Sequence, residues 1–519
     1  MRDETTTPHP HPHPHPHLHP HLHLHPHPRR WAALAVLLLA EAMNLLDATV
    51  MTVAAPVIRA DLGGSDTAIQ WFSAAYTLPF AVLLITGGRL GDIVGRRRVF
   101  RVGTAAFTLA SLACALAPSA GALIAVRAVQ GAAAALVIPQ TIGMIRALFD
   151  GRELARAMGW IGPVMGLAAV TGPALGGLLT HADLFGSTWR AVFLVNVPLG
   201  VAVLLAGRLL REDRAATRPR LDLTGTALAV LGTGLVIHPL IQGGAEGWPG
   251  WCWALLTVGG ALLAGFALHQ RRRGRYGRSP LVEPSLFRER GFPAALISSM
   301  LFFAAVNGLM LVIVVQLQVG LHTDVLTAGF TLLPWSFAMA LSSWAAGAWL
   351  VPRYGTGVMT AGLLALFVGA VAAAVVYGTG RPGSYPWPLL PALMLAGLGQ
   401  GLYAVPFFTT ALHHVRPHET GSAAGLLNAV QQLGGTLGVA LLGSVFFHTT
   451  TFLHTTASGA LAQETAALTG ARNASCVAAA LILATAAATV FMRPRQQRRS
   501  APADPAPGRE PKVRRGSHG

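Results

Sequence analysis

Charge is scarce in this sequence. Only 11% of its 519 residues are Asp, Glu, Lys or Arg, and 53% are hydrophobic. An ordinary soluble domain carries about 25% charged residues. The shortage excludes a water-soluble globular chain and points to a polytopic membrane protein. Lysine is almost missing: the single one, Lys512, is followed by Val513. A nucleotide-binding P-loop needs its lysine followed by Ser or Thr, so any driving energy has to come from an ion gradient or a partner. Cysteine is represented by Cys114, Cys252 and Cys476 alone, in or beside apolar runs. They have no metal-ligand spacing and imply no disulfide framework. The apolar runs hold no catalytic triad, paired catalytic carboxylates or ligand cluster, so no enzyme and no cofactor is expected. The net charge of +17 reads as loop charge facing an anionic leaflet, and not as a nucleic-acid footprint.

What is present is a series of apolar runs, each near the roughly 20 residues that a membrane span needs. Six are expected at about Trp31–Ile58, Ala68–Gly87, Val99–Ala117, Ala120–Ala147, Leu154–Thr180 and Trp189–Leu210. Two more lie at Leu223–Gln242 and Trp251–Gln270, between basic loops Arg211–Arg220 and Arg271–Arg290. Six follow at Pro293–Val319, Val325–Val351, Gly357–Tyr377, Trp387–Leu412, Gly421–Phe447 and Ser475–Met492. The expected division is a tail at 1–29, a six-helix half at 30–210, a two-helix linker at 211–290, a second half at 291–493 and a basic tail at 494–519. Loop arginines such as Arg96–Arg98, Arg146 and Arg271–Arg290 fall on one side, which makes that side and both termini cytoplasmic. The long stretch Thr449–Asn473 is then expected to be an outside loop. Histidine and proline alternate through most of His9–Pro28. Proline at this density prevents helix, so the segment reads as a disordered tail. Its histidines, His9–His27, could bind a divalent metal weakly; no other metal site is expected.

Between the second and third runs stands Gly88-Arg89-Leu90-Gly91-Asp92-Ile93-Val94-Gly95-Arg96-Arg97. A short turn between membrane helices needs glycine and charge, but that explains neither Asp92 nor the spacing of the glycines. The order resembles the loop between helices 2 and 3 of the major facilitator superfamily. A partial echo follows the tenth run, where Leu350 and Gly355 keep the spacing of Leu90 and Gly95 and Pro352 stands in the place of Asp92. Transporter folds are built from such repeats, with the substrate site between the halves.

Helix 1 carries Glu41 and Asp47, each costing roughly 2.5–3.5 kcal/mol at the membrane centre, so work in a cavity is the expectation. Leu46-Asp47-Ala48-Thr49, leading to Ala54-Ala55-Pro56, resembles the helix-1 motif of the fourteen-helix drug:proton antiporters, with Thr52 and Ala55 departing from it. Arg127-Ala128-Val129-Gln130-Gly131 resembles the superfamily's helix-4 motif. Gly172-Pro173-Ala174-Leu175-Gly176-Gly177 resembles its antiporter helix-5 motif, with Ala168 where that motif has a further glycine and a counterpart at Gly434–Gly438. Trp189–Gly200 is also similar to a stretch of the fourteen-helix family. The resemblance implies an all-α major facilitator fold of about fourteen helices and a monomer in the cell membrane. It implies proton-driven export of small amphipathic, cationic or aromatic compounds, from a mostly apolar cavity with a few acids. Asp47, Glu41, Arg127 and Gln130 would couple the proton and line that cavity. Gly88, Leu90, Gly91, Asp92, Gly95, Arg96 and Arg97 would form the gating loop, with Gly172, Pro173, Gly176 and Gly177 as the helix-5 motif. A dedicated exporter of one natural product and a transport-inactive sensor are the alternatives.

Overall fold

A computed structural model describes residues 29–183, 186–210, 212, 221–244, 246–276, 280–288, 290–382, 384–412, 415–416, 420–456 and 460–492. The His9–His27 segment and the 494–519 tail lie outside these residues. Among the described residues there is helix and no strand. In chain order the long helices are α1 (Arg30–Leu62), α2 (Thr67–Val94), α3 (Arg96–Ala115), α4 (Ala120–Leu148), α5 (Arg156–His181), α6 (Thr188–Leu209) and α7 (Leu223–Gln242). They continue as α8 (Gly250–Arg275), α9 (Gly291–Gly320), α10 (Val325–Tyr354), α11 (Gly357–Thr379), α12 (Leu389–Leu412), α13 (Ala423–Thr451) and α14 (Leu461–Met492). Thirteen of them are long and apolar enough to cross a membrane. The remaining one, α3, is 20 residues long and opens on Arg96, Arg97 and Arg98.

The expectation for one stretch changes. The stretch Thr449–Asn473 is largely helix and not loop: α13 continues within the helix Thr420–Thr456, and the next helix starts at Ala460. Alanine is the best helix former, and Ala466, Ala467, Leu468 and Ala471 are buried, so this polar-looking end is held by packing. The fifth run forms one span with a one-residue interruption near its start. Gly151–Gly159 and Ile161–His181 are separate, with Trp160 between them. Gly159, Gly162 and Pro163 surround the break, and proline cannot donate the backbone bond that a continuous helix needs.

The repeat is visible in packing. On α4, a Cβ added at Gly131 would overlap the Tyr76 carbonyl of α2; on α12, one added at Gly397 would overlap the Trp335 carbonyl of α10. Gly172 and Gly176 set α5 against Thr49 and Val50 of α1, and Gly434 and Gly438 set α13 against Met300 and Ala304 of α9. The same small-residue seam thus brings corresponding helices together in both halves. The turns repeat as well: Gly95 (φ 120) after α2 and Gly355 (φ 55) after α10 both occupy left-handed backbone that glycine alone adopts readily.

The halves meet most closely at the arginine-poor end. A Cβ on Gly177 of α5 would lie 2.9 Å from the Val325 carbonyl, and one on Gly329 of α10 would lie 2.7 Å from the Pro173 carbonyl. Gln318 Nε2 of α9 donates to the Val53 carbonyl of α1 at 2.7 Å. Toward the arginine-rich end α5 loses this contact: no residue from Gly159 to Leu167 is buried, and Trp160 is 50% exposed.

The linker pair α7 and α8 is fixed to α2 by a polar cluster around Asp222, whose side chain is fully buried. Its Oδ1 accepts from the Gly225 N–H at 3.0 Å and lies 2.9 Å from His269 Nε2 and 3.3 Å from Arg273 Nη1. Its Oδ2 accepts from Gln270 Nε2 at 2.9 Å. Arg89 of the α2–α3 turn donates to the Pro280 carbonyl in the loop after α8, and Thr86 meets Thr226 at 2.9 Å. Burial would raise the Asp222 carboxyl, but hydrogen bonds from His269, Gly225 and Gln270 and the Arg273 charge hold it below the usual carboxylate value. A depressed folded value means that its contribution is present above about pH 4 and is lost as pH falls through the folded value. Asp222→Ala should therefore speed tryptic cleavage within Arg271–Arg290 several-fold at neutral pH, read by timed mass spectrometry. Unchanged cleavage would show that the cluster does not hold this loop.

Candidate functional site: a buried ion pair beside the inter-half cavity

Asp47 and Arg127 form an ion pair between α1 and α4, with side chains 0% and 1% exposed. Arg127 Nη1 donates to Asp47 Oδ2 at 2.5 Å. The other carboxylate oxygen, Oδ1, accepts from Gln130 Nε2 at 2.9 Å and Asn196 Nδ2 at 2.8 Å. Gln130 is itself held: Nε2 also reaches Ser111 Oγ at 2.9 Å, and Oε1 accepts from Arg127 Nη1 at 2.9 Å. Arg127 Nε donates to the Phe72 carbonyl at 3.1 Å. The guanidinium carbon stands 4.4 Å from the Tyr76 ring centroid, and Tyr76 donates to Asn44 Oδ1 at 2.6 Å. The guanidinium thus has a carboxylate, a carbonyl, an amide and an aromatic face. A buried charge persists only when it is paired and hydrogen-bonded to this degree.

The spacing explains the helix-4 motif. Arg127 and Gln130 are three residues apart and so share a helix face, and both turn toward Asp47. Gly131 lets that face close on α2. Asn196 is the member that sequence reasoning missed. The stretch Trp189–Gly200 stood out, but nothing in it marked Asn196 except being polar in an apolar run. Its neighbours place it: Trp189 Nε1 donates to Asp61 Oδ2 at 2.7 Å and Arg190 Nη1 to the same atom at 3.2 Å, tying the start of α6 to the end of α1.

Glu41 lies away from the pair, six residues earlier on α1, or roughly 9 Å along the axis. It is 8% exposed and sits near Thr141. In the α2–α3 turn, Asp92 Oδ1 accepts from Arg96 Nη2 at 3.0 Å. A Cβ on Gly87 or Gly91 would overlap α4 at the Ala135 carbonyl or Gln140, and Gln140 Nε2 donates to the Gly87 carbonyl at 2.8 Å. The expected loop is mostly helix: Gly88, Leu90, Gly91 and Asp92 lie in the last turns of α2, Gly95 alone stands between the helices, and Arg96 and Arg97 open α3, where the Arg97 N–H donates to Glu212 Oε1 at 3.2 Å.

Between the halves lies a cavity of about 240 Å³. From the N-terminal half it is lined by Leu45, Ala48, Thr49, Thr52, Ser73, Ala74, Thr77, Ala169 and Pro173. The C-terminal half contributes Phe303, Val306, Asn307, Met310, Leu311, Trp335, Ser336, Met339, Gln400, Gln431, Gln432, Gly435, Thr436 and Val439. Asp47, Glu41, Arg127 and Gln130 do not line it, and no acid does. Of the four residues expected on the cavity wall, Asp47, Arg127 and Gln130 lie instead inside the N-terminal half, where a buried carboxylate and guanidinium find the donors and acceptors they need, and Glu41 is buried separately near Thr141. A separate groove of about 670 Å³ lies toward the arginine-rich end, lined among others by Trp31, Leu38 and Ala42 of α1 and by Arg156 and Trp160.

A family model described as the Major Facilitator Superfamily matches residues 37–439. The chain is 46% identical to the "Probable actinorhodin transporter" of Streptomyces coelicolor over 81% of this chain and 73% of that protein. It is 38% identical to the puromycin resistance protein pur8 of Streptomyces alboniger over 80% of this chain and 82% of that one. In fold it is similar to a bacterial homologue of the human lysosomal transporter Spinster, with a TM-score of 0.62 and 17% identity, covering 90% of this chain and 97% of that one.

The helix-5 seam generates a controlled test. At Gly172 a Cβ would overlap Thr49 Oγ1, whereas at Gly166 nothing lies within 4 Å. Gly172→Ala should lower the thermal midpoint of the purified protein by several degrees and Gly166→Ala should leave it in place, an overpacking cost of about 1–3 kcal/mol against none. Equal shifts would remove the seam from the argument.

Proposed function

The chain belongs to the major facilitator superfamily as a multi-pass membrane protein, and from that premise we propose that it is a proton-coupled antiporter exporting amphipathic antibiotics or drugs. The observation that carries this reading is the fully buried Asp47–Arg127 pair on the helix that also lines the cavity between the halves. Asp47 carries the proton. While it is charged, it holds Arg127, Gln130 and Asn196 together and fixes α1 against α4 and α6. Protonation removes the charge that Arg127 requires, and the four groups must rearrange. Ala48 and Thr49, the next residues along, carry that movement to the cavity wall. Glu41 is a second acid on the same helix, placed toward the arginine-rich end. No cofactor takes part, and a monomer suffices.

The arginine-rich loops and both termini face the cytoplasm of the cell in this reading. Compounds enter the cavity from that side, past the weakly packed start of α5, and leave outward while a proton moves inward. Residues 30–210 and 291–493 act as the moving halves, with 211–290 as the linker. Asp92, Arg96 and Arg97 set the balance between the two conformations from the α2–α3 turn. The relatives named for a single antibiotic support the alternative of a dedicated exporter of one natural product. The intact pair argues against a transport-inactive sensor, which has no use for a buried coupling group.

In inverted vesicles, Asp47→Asn should reduce pH-driven efflux to background when rates are normalised to the folded protein in the membrane, whose amount falls because Arg127 is left without its counter-charge. Asn at this position keeps the volume but loses the charge and the titration. Efflux at the wild-type rate would sink the assignment of Asp47. Asp92→Asn should slow turnover with near-normal expression, since the partly exposed ion pair with Arg96 is worth about 0.2–1 kcal/mol, enough to bias a balanced equilibrium but not to unfold a protein. Loss of folded protein would instead make the turn structural.

A further inference from the structure

The cavity between the halves carries no ionisable side chain, which is unexpected for a site meant to attract cations. Its polar groups are hydroxyls and four carboxamides, all four from the C-terminal half: Asn307 on α9, Gln400 on α12, and Gln431 and Gln432 on α13. Two of them are half used. Asn307 Nδ2 donates to the Phe303 carbonyl at 2.9 Å, and Gln400 Oε1 accepts from Trp335 Nε1 at 2.7 Å. Among the described residues, the side chains of Gln431 and Gln432 make no hydrogen bond. A carboxamide both donates and accepts, and one removed from water needs a partner. Gln431 and Gln432 are only partly buried, so their free donors and acceptors face the cavity, where water or an oxygen-bearing compound that displaces it can meet them.

Among the described residues, the charged pair that joins the cavity-lining α1 to α4 is closed to it. Both carboxylate oxygens of Asp47 are occupied, and its side chain is 0% exposed; that of Arg127 is 1% exposed. A cation entering the cavity would lose its water without gaining a counter-charge, and so would an anion. Phe303, only partly buried, supplies flat apolar surface, which suits a ring system, and the fully buried Trp335 backs the cavity wall. The bound indole N–H keeps the Trp335 ring in one orientation.

We infer that the cavity selects uncharged, planar polycyclic compounds carrying several hydroxyl or carbonyl oxygens, and discriminates against permanent cations. This rests on the cavity being the substrate site of the proposed exporter, and it replaces the expectation of cationic substrates with a narrower class. A volume of about 240 Å³ is below the roughly 300–1,000 Å³ of drug-sized sites. A compact three-ring compound fits this shape, and larger members of the class require the halves to part.

The test compares dihydroxyanthraquinone with ethidium, a permanent cation built on a three-ring core, on the purified full-length protein in nanodiscs and in proteoliposomes with a pH gradient. Wild type should bind the quinone saturably and ethidium at least about tenfold more weakly. Gln431→Leu and Gln432→Leu should each weaken the quinone about fivefold, the worth of one or two neutral hydrogen bonds. Gln432→Glu, which adds the missing counter-charge, should strengthen ethidium about tenfold. This gain cannot come from a misfolded variant. Tighter binding of ethidium than of quinone by wild type would overturn the inference, as would quinone affinity unmoved by both leucine variants. Quinone bound selectively but not carried by the gradient would support the inference and remove the export reading. Ethidium carried while quinone is not would do the reverse.

Discussion

The structure of the N-terminal half depends on keeping one carboxylate and one guanidinium out of water. Neither Asp47 nor Arg127 could stay charged there alone, because an unpaired charge in a low-dielectric interior is far too costly. Each requirement of the pair recruits an element. Arg127 takes a backbone carbonyl and a ring face from α2, Asp47 takes amides from α4 and α6, and Gln130 takes a hydroxyl from α3. Five helices are therefore oriented by one interaction. A pair of this kind adds little net stability over apolar packing, yet removing one partner is expensive. That asymmetry suits a switch: the paired state is specific, and loss of one charge is felt by every helix that serves it.

Packing of small residues is the second constraint, and it has a different purpose. Without a hydrophobic drive between helices in lipid, close approach depends on glycine and alanine. The seams α5 on α1 and α13 on α9 bring together helices that line the inter-half cavity, whereas Gly177 and Gly329 work between the halves. At the arginine-poor end the backbones of α5 and α10 touch; at the other end α5 offers Trp160 and Leu167 outward. The α5–α10 contact is short, whereas α2 and α13 stay in contact along the span, from Gln70 at Gly443 through Thr77 at Thr436 to Ile85 at Gly425.

These features were unequally legible in the sequence. The number of helices, the two-half plan and the glycine turns could be read, because lipid imposes length and apolarity on every span and left-handed backbone imposes glycine. Arg127 and Gln130 stood out in the sequence through their motif, whereas their direct bonds to Asp47 appear only in the fold. Asn196 did not stand out, since nothing local tells which way an asparagine in an apolar run points. The helix ends at Thr449–Asn473 were misread for a related reason. Threonine, glutamine, glutamate and arginine spread through the stretch interrupt its apolar run, and burial of Ala466–Leu468 shows why the chain stays helical. The carboxamides of the cavity escaped notice altogether: Gln431 and Gln432 sit on a helix of mixed small residues, and their meaning arises only when α9, α12 and α13 come together.

The placement of charge has a consequence for coupling. If the acid lay on the cavity wall, substrate and proton could compete for it directly. Here the wall is uncharged and the pair is sealed, so in the proposed cycle the two ligands act on one another through α1. Asp47 faces inward from that helix, and Ala48 and Thr49 face the cavity. Thr49 Oγ1 donates to the Leu45 carbonyl at 2.9 Å and abuts Gly172 of α5. A shift of α1 that follows protonation is thereby delivered both to the substrate wall and to the seam that leads to the contact at Gly177. An exporter built this way needs no charge on its substrate to exchange it for a proton. The uncharged cavity and the buried pair are then two sides of one arrangement, in which energy reaches the substrate as helix displacement and not as direct electrostatic competition.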